Sequence, residues 1–598
     1  MSINNARPGQ PVDLRKSQAG FGWHTGAMTA IGGIAAHAIS VTETLELIDA
    51  NFPSLVDAVS KGEYAFWLGS AISRDRLPPL EPLVGKILDF LQSRIDTTNP
   101  NCVYKDAFEN ILELAMLSEE EEKHCDFSQP VAGWPTHKVI MARLIRRYAE
   151  VLDIEIPGQP RDFLLWNVLD VPGVYADSAI APDIEHYCLA VMILEGLLPD
   201  VVTANWDGLI ERALEELAGT NSQIAPTYVT SADFRRPRGR TRILKFHGCA
   251  VKAKNDENAY RGYLVGRRTQ ITDWPNDSKH SVMRLEMSSL AISRRTLMIG
   301  LSGQDSNIQN LFSSAKELLT WEWPTDPPAF VFAEDKVGPD QQNILRVAYQ
   351  STYEGNEAAI AAGSHLRAYG KPLLSALMLA TFAKKLGAMV DIAATADTVE
   401  CQAVLSGIQT LVFLAASGVT SNADHLLRLI FSVGRGLSLF RDGKVSVSGT
   451  YMPLSVSPVH QLATDPHIHS GGLPQMAVAL GLLGIDHASG AWSVSVKNEN
   501  LAHLGLTVTS GQFVSQIFFV SNPAVALQLE LDGLIDSEDP DLIIIHSGRI
   551  TQRLQRGPGA EHGRTGRSVA RQVGMAEVIS EAVTIEDLQR IFREEMSQ

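Results

Sequence analysis

The sequence predicts an α/β protein: a doubly wound parallel (Rossmann-like) sheet with a helical insertion, followed by a mixed α/β module. Three observations lead to this prediction. Apolar runs of strand length alternate with segments of helical periodicity between residues 60 and 350. Small and polar residues follow these runs, where ligands bind in parallel sheets. The composition is that of a globular protein, with 45% hydrophobic and 20% charged residues.

Length, charge and cysteine content exclude several classes of protein. The 598 residues suit two or three large units, and a net charge of −17 argues against a nucleic-acid coat, so direct nucleic-acid binding is not expected. Five cysteines without a C-x-x-C pair indicate reduced thiols, a cytoplasmic protein and no four-cysteine zinc module. The longest apolar run, Val404 to Val419, contains Gln409 and is too short for a membrane span.

The first 200 residues predict one strand among several helices. Residues 1–45 form a Gly-, Ala- and Pro-rich leader, and a helix over Thr42–Val59 is interrupted near Pro53. A buried strand at Tyr64–Leu68 enters a small-residue turn. The helices expected after it span Leu80–Ile95, Phe108–Leu117, His137–Leu152 and Ile184–Leu198.

Residues 200–350 predict the rest of the parallel sheet. The expected strands are Val201–Thr203, Arg242–Phe246, Thr296–Ser302 and Ala329–Ala333, and the expected helices are Asp207–Leu217 and Asn307–Leu318. The predicted units are therefore a leader over 1–45 and an α/β domain over 46–355, with its helical insertion at about 101–195.

The remaining residues, 356–598, predict a second module for sensing or assembly. Helices are expected at His365–Leu386 and Thr398–Ser417, and short strands and loops over 430–530. Asp541–Ile545 predicts a buried strand, and Thr584 with Asp587 resembles a capping box that opens a final helix.

Four strand-end turns carry the candidate site residues. In the first, Gly69, Ser70, Ala71 and Ser73 would let the backbone approach a phosphate at a helix N-terminus, although a tight βα turn explains the same residues. In the fourth, the candidates are Gly300, Ser302, Asp305 and Asn307, which suit a ribose or an adenine but serve equally well as turn and cap residues.

The second and third turns carry the candidate catalytic groups. Thr203 is a candidate cofactor-binding residue. It leads to Asn205, whose amide can orient a water or a ribose hydroxyl, and to Asp207, which could simply cap the next helix. His247, followed by Gly248, could titrate near neutral pH in a cleft, or be a structural histidine.

Other polar clusters have plainer explanations. The basic loop Arg235–Arg240 suits a solvated loop, with a phosphate, a nucleic-acid backbone or an acidic partner as the alternatives. A second basic stretch suits a flexible loop that contacts a partner better than it suits nucleic acid, since it has no interleaved aromatic residues; its arginines are at 553, 556, 564, 567 and 571. His460, His467, His469 and Asp465 match no metal-ligand spacing, and no Gly-x-Ser-x-Gly turn supports Ser-His-Asp hydrolysis.

The order and spacing of the four turns resemble the sirtuin-like superfamily, in particular the NAD-cleaving domains of bacterial antiphage defence. The family pattern runs Gly-Ala-Gly-x-Ser, Thr-x-Asn-x-Asp, His-Gly and Gly-x-Ser-x-x-Asp, and it spans about 60–350 here. The resemblance implies that Asn205 orients water or ribose and that His247 acts as base or ribose partner. It implies that Asp207 supports the nicotinamide side or the loop geometry. It places the first turn at the pyrophosphate and the fourth at the adenosine end.

Two departures from the family pattern bear on activity. Ala71 replaces the third residue of the first motif, usually Gly, and the zinc cysteines of the protein deacetylases are missing. The missing cysteines match the zinc-free branch, whose members hydrolyse NAD. The expected protein is therefore a regulated NAD+ hydrolase that needs no zinc, assembles as a homo-oligomer, lies off the membrane and acts with a partner such as a HerA-like ATPase or a short Argonaute. A non-catalytic NAD or ADP-ribose sensor, favoured by Ala71, is the alternative, and a deacylase is a third.

Overall fold

The computed structural model describes residues 35–219, 223–394, 401–421, 424–444, 451–496, 506–511, 513–549 and 570–597. Most of the leader predicted over 1–45 lies outside these ranges, as do Arg553, Arg556, Arg564 and Arg567 of the second basic stretch.

A seven-stranded, wholly parallel sheet organises the first part of the chain. Its strands are β1 (Tyr64–Leu68), β2 (Asp200–Thr203), β3 (Thr227–Tyr228), β4 (Arg242–Lys245), β5 (Arg295–Ile299), β6 (Phe330–Ala333) and β7 (His365–Leu366). The order is β3-β4-β2-β1-β5-β6-β7. The chain first builds one side of β1 and then returns to build the other, which is a doubly wound topology. The predicted fold class is confirmed.

Helices cover both faces of this sheet. The helices up to residue 200 are α1 (Val41–Asn51), α2 (Pro53–Ser60), α3 (Leu80–Gln92), α4 (Val103–Leu114), α5 (Glu119–Glu122), α6 (His137–Arg146), α7 (Tyr148–Val151), α8 (Val171–Tyr175) and α9 (Ile184–Leu194). The next eight are α10 (Leu209–Ala218), α11 (Ala250–Asn255), α12 (Glu257–Tyr260), α13 (Arg268–Asp273), α14 (Ser281–Ser293), α15 (Ser306–Ser314), α16 (Pro339–Tyr349) and α17 (Glu357–Gly363).

The alternation of side chains along β1 separates two hydrophobic cores. Tyr64, Phe66 and Leu68 pack with α1, α2, α9 and α10. Ala65 and Trp67 face the opposite layer, which α14, α15 and α16 form. Because successive strand residues point to opposite faces, a continuously apolar strand is what a sheet covered on both sides requires.

The first helical segment confirms the predicted interruption. Ser40 caps α1 through a capping box with Glu43, and α1 ends at Asn51. Pro53 then opens α2, where its missing N–H costs nothing.

The segment that carries helices α3 to α8 lies between β1 and β2 in the sequence, and its side chains form a third hydrophobic core. This helical cluster begins at Leu80, upstream of the expected insertion, and α9 belongs to the layer against the sheet. The sheet also continues past residue 355, since β7 pairs with β6.

The second half is more helical than expected. Its helices are α18 (Gly370–Ala393), α19 (Cys401–Ser421), α20 (His425–Asp442), α21 (Pro466–Gly471), α22 (Leu473–Ala488), α23 (Pro523–Leu531), α24 (Met575–Glu581) and α25 (Ile585–Ser597). Two predictions were wrong: the segment at His365 begins as a strand, and residues 425–488 are largely helical. Helices α18 and α22 are apolar nearly all round because they are core helices.

A second, mixed sheet lies near the C-terminus. Its strands are β8 (Ser493–Val496), β9 (Leu506–Ser510), β10 (Phe513–Val520), β11 (Leu542–His546) and β12 (Arg571–Gly574), in the order β12-β11-β10-β9-β8. Strands β8 to β10 are antiparallel and β10 to β12 parallel. A mixed α/β module was predicted here.

Two of the described helices are long and apolar enough to cross a membrane by length and composition alone, α18 and α19. The apolar window of α18 is 78% buried inside the protein and that of α19 is 39% buried. Helix α19 is longer than the run from Val404 to Val419 that the sequence indicated.

Candidate functional site

The four sequence motifs meet at one edge of the parallel sheet. Leu68 at the end of β1 is in register with Thr203 of β2 and Ile299 of β5, and Thr203 is in register with Lys245 of β4. The turns that follow these strands are therefore neighbours at the carboxyl edge, at the point where the strand order reverses. Ligands of doubly wound folds bind at this point.

The first and fourth turns touch through their backbones. A Cβ built on Gly69 would lie 2.0 Å from the carbonyl oxygen of Gly300, so no other residue fits at 69. Gly300 has a φ of +64°, and a Cβ there would lie 2.7 Å from the methyl of Ala71. The Ala71 methyl is thus accommodated because residue 300 is glycine.

A chain of buried hydrogen bonds links the first and second turns. The Oγ of Ser73 lies 3.1 Å from His186 Nε2 and donates to Asp207 Oδ2 at 3.1 Å. All three side chains are buried. The backbone N–H of Asp183 donates to His186 Nδ1 at 3.0 Å. His186 therefore carries its proton on Nε2 and donates it to Ser73, and burial lowers the pKa of His186, which keeps the ring neutral.

Sequence reasoning missed His186. It lies on α9, far from the four turns along the chain, and its helix is buried almost throughout. A histidine inside so apolar a helix was the available signal, because a buried imidazole needs polar partners.

Asn205 and Asp207 make hydrogen bonds both within the second turn and to the first turn. The Asn205 side chain donates to the carbonyl of Gly69 at 3.2 Å, and its Oδ1 is buried without a hydrogen-bond partner among the described residues. Asp207 Oδ1 accepts the backbone N–H of Leu209 at 3.1 Å, at the start of α10. The capping and functional interpretations are therefore compatible, because Oδ1 and Oδ2 have different partners.

His247 faces the fourth turn. Its Nε2 lies 3.2 Å from Asp305 Oδ2 and 3.1 Å from the Asn307 side-chain nitrogen. Burial lowers the pKa of His247, while the Asp305 carboxylate opposes part of that shift. The net direction keeps the ring neutral at pH 7, as a general base requires. Asp305 also accepts the Asn307 backbone N–H at 2.9 Å and so caps α15.

Two contacts fix the loop that carries His247. Trp206 Nε1 donates to the His247 carbonyl at 2.9 Å, and the Val265 N–H donates to the same oxygen at 3.0 Å. The second and third turns are thereby joined, because Trp206 lies between Asn205 and Asp207 in the chain.

Aromatic side chains of the helical cluster cover this edge of the sheet. The Tyr175 ring meets Trp206 edge-on at 5.4 Å, and Tyr175, Tyr148 and Trp206 border one small cavity. Burial raises the pKa of Tyr175 to about 12, with a contribution from Asp207. Burial also raises the pKa of Tyr148, and the negative charge of Asp305 adds to this shift. Side chains of the helical cluster therefore lie next to Trp206 of the second turn.

Some predicted binding residues lie outside these contacts. Ser70 and Ser302 are exposed, whereas Thr203 is buried and accepts the Asn205 N–H at 3.0 Å. Residues Ser70–Ser73 form a single 3-10 turn, and the next helix, α3, begins only at Leu80. The predicted phosphate-binding residues of the first turn thus lie in a short turn and not at the N-terminus of a long helix.

A cavity of about 800 Å³ opens on the other side of the second turn. It is bordered by Gly208, Leu209 and Cys249 and by Arg236 and Arg238 of the predicted basic loop. Arg236 lies 3.7 Å from Asp233, and most of the loop is exposed, as a solvated loop predicts.

The described residues contain no group of three or more metal-ligating side chains. Asp465 caps α21 and His469 bonds to the Ala463 carbonyl, which accounts for two members of the histidine-rich stretch.

The residues of this edge fit NAD. Asn205 Oδ1 and Asn307 Oδ1 are buried acceptors with no partner among the described residues, and ribose hydroxyls or an ordered water would satisfy them.

Comparison with known proteins agrees with this geometry. A family model described as a SIR2-like domain matches residues 199–353, which include the second, third and fourth turns. A search of the curated proteins found no match. SIR2-like domains bind NAD+, which suits the donors and acceptors of the site. The chain therefore contains a sirtuin-like domain.

Proposed function

We propose that this protein is a regulated NAD+ hydrolase, which cleaves the bond between nicotinamide and ribose and releases nicotinamide and ADP-ribose. The observation that supports it most is the placement of two buried side chains, Asn205 and His247, just beyond the carboxyl ends of the neighbouring strands β2 and β4. Both come from motifs whose order matches the sirtuin-like pattern.

The side chains have separate tasks in this reaction. Cleavage leaves positive charge on the ribose, and one water must then add to the same carbon, as in glycoside hydrolysis. The free Oδ1 of Asn205 would accept a hydrogen bond from that water or from the ribose. His247 would take the proton that the water loses, while Asp305 holds the ring in place. The products balance: the hydroxyl stays on the ribose and nicotinamide leaves with the bonding electrons.

The first test follows nicotinamide and ADP-ribose after purified protein is mixed with NAD+, alone and with lysate from phage-infected cells. We expect release in at least one condition, and its loss in Asn205→Ala and His247→Ala. Exposed residues provide matched controls, Asn276→Ala and His124→Ala, which should behave as wild type. Full activity in Asn205→Ala or His247→Ala would overturn the assignment of that residue.

A sensor that binds NAD or ADP-ribose without turnover is the second candidate, and Ala71 is the observation that favours it. Calorimetry with NAD+ separates the two candidates: binding without release in any condition supports the sensor. Release that depends on an acyl-lysine peptide would instead support a deacylase.

Unregulated cleavage would drain the NAD of the host cell, so we place the control of activity in the second half of the chain. A role in antiphage defence, self-assembly, and a HerA-like ATPase or a short Argonaute as partner belong to the same proposal. Size-exclusion chromatography with light scattering, before and after addition of infected-cell lysate, tests the assembly.

A further inference from the structure

A short segment of the second half of the chain packs against the sirtuin-like domain. We call residues 451–456 the clamp segment. The backbone N–H of Tyr451 donates to the carbonyl of Leu217, near the end of α10. A Cβ on Gly196, just beyond α9, would lie 2.0 Å from the carbonyl oxygen of Val456. The clamp segment thus contacts the C-terminal ends of two neighbouring helices.

A buried ion pair lies at the centre of this contact. Lys385 of α18 donates to the Glu195 carboxylate at 2.7 Å, and to the carbonyls of Glu195 and Ser455 at 2.6 Å each. Both side chains are almost fully buried, with 0% and 2% exposed. All three ammonium protons therefore have acceptors, which is the condition under which a buried charge is tolerated.

The clamp segment satisfies the other oxygen of the same carboxylate. Glu195 Oε1 accepts the Tyr451 hydroxyl at 2.8 Å and the Leu454 N–H at 2.9 Å. Arg441 of α20 donates to the Leu454 carbonyl at 2.6 Å. The network thus ties together α9, α18, α20 and the clamp segment.

The opposite ends of α9 and α10 carry the site. Near the start of α9, His186 holds Ser73, and at the start of α10 Asp207 accepts from the same Ser73. Both helices run from the carboxyl edge of the sheet to the clamp segment, roughly 15 Å at 1.5 Å per residue. A displacement at the clamp therefore reaches both partners of Ser73 through packed, rigid helices.

We propose that the clamp segment is the point at which the second half of the chain controls the site. With the clamp engaged, Glu195 and Leu217 hold α9 and α10 where His186, Ser73 and Asp207 meet. Release of the clamp frees both helices and loosens that chain of hydrogen bonds. Glu195, Lys385 and Tyr451 act as positioning residues, since they touch none of the site side chains. The kinetic part of this inference rests on the proposed function.

Two variants of the full chain weaken the clamp to different degrees. Tyr451→Phe removes one hydroxyl and leaves the Leu454 N–H on the carboxylate. The double variant Glu195→Gln with Lys385→Met removes both charges together, so that neither is left buried alone. Lys384→Met is the matched control, because Lys384 adjoins Lys385 on α18 but pairs with Asp57.

Hydrogen exchange of the backbone amides, followed by mass spectrometry, provides the main readout. We expect the double variant to accelerate exchange at the far ends, residues 183–187 and 205–210, by about tenfold or more, and Tyr451→Phe to do so less. Lys384→Met should leave these amides unchanged. Acceleration confined to the clamp segment and residues 194–196 would overturn the inference.

Steady-state kinetics of NAD+ cleavage provide a second readout, independent of hydrogen exchange. If the wild type cleaves NAD+, the double variant should lose about tenfold or more in kcat with a smaller change in KM, because positioning in the transition state is affected more than binding. Unchanged kcat despite faster exchange at the far ends would also overturn the inference. If the wild type never cleaves NAD+, the proposed function fails, and the exchange experiment still decides whether the clamp controls the site.

Discussion

Ser70 and Ser73 occupy the same turn, but their environments differ completely. Ser70 is exposed, whereas Ser73 is buried between His186 and Asp207. Ser73→Ala should lower NAD turnover by about tenfold or more, because it removes the Oγ that contacts His186, Asp207 and, at 3.5 Å, Asn205. Each buried hydrogen bond is worth about 1 kcal/mol. Steady-state kinetics measure this, and Ser70→Ala is the control. Equal effects of the two substitutions would contradict the proposed role of Ser73.

The pH dependence of turnover reports on His247. Burial lowers the pKa of His247, so the base form should persist below pH 6.5 and the acid limb of the kcat profile should lie below that value. The Asp305 carboxylate opposes this shift. Asp305→Asn, which can still cap α15, should therefore move the acid limb to lower pH. A limb that moves upward in this variant would contradict the assignment of His247 as base.

Most residues of the candidate site could be predicted from the sequence, because they directly follow predicted strands. Asn205, Asp207, His247 and Asp305 lie together because the carboxyl ends of neighbouring parallel strands are adjacent. His186 could not be placed this way, because it comes from a helix that precedes its strand. The roles of these residues in catalysis stay predictions.

The contact between the first and fourth turns predicts how substitutions of glycine affect stability. Gly300→Ala should destabilise the protein by more than Gly355→Ala, although both residues have positive φ, +64° and +83°. Nothing lies within 4 Å of a Cβ on Gly355, while one on Gly300 meets Ala71. Each substitution costs roughly 1–2 kcal/mol for the left-handed backbone, and the clash adds to it only at 300.

Thermal unfolding measures the difference. Ala71→Gly in the Gly300→Ala background should recover the part of the loss that the clash causes, because it removes the opposing methyl. If Gly300→Ala and Gly355→Ala lower Tm equally, the close approach of the two turns is wrong.

The sequence predicted the long strands of the first sheet well and the rest of the fold less well. β1 is continuously apolar and bounded by turn residues, so its limits were found at Tyr64 and Leu68. β3 and β7 have two residues each, too few to show a periodicity. Helix α22 is apolar nearly all round and rich in Gly, so its core position and not its sequence pattern decides its structure.

For the whole molecule, buried histidines predict sensitivity to acid. Burial lowers the pKa of His186 and His247, and lowers that of His280 to about 3 and that of His546 to about 4. Below pH 6.5 the unfolded chain binds protons that the folded chain does not, so each histidine lowers stability by up to about 1.4 kcal/mol per pH unit. Burial raises the pKa of Glu185 to about 7, so the folded chain binds this proton at a higher pH than the unfolded chain does. Glu185 therefore offsets the loss of stability caused by one of the histidines.

Denaturant unfolding at a series of pH values measures this slope. We expect the free energy of unfolding to fall steadily between pH 6.5 and 5. A variant with His280→Phe should fall less steeply, since it removes one of the buried groups. Stability that is constant or rises over this range would contradict the buried, neutral state of these rings.

The ion pair between Glu195 and Lys385 also bears on how the sirtuin-like domain can be inherited. A gene fragment ending at residue 355 would encode the site turns but omit Lys385, Tyr451 and Leu454, which bury and pair the Glu195 carboxylate. β6 would lose its neighbour β7 as well. The sirtuin-like domain of this chain therefore depends on the second half for the burial of Glu195 and for the neighbour of β6.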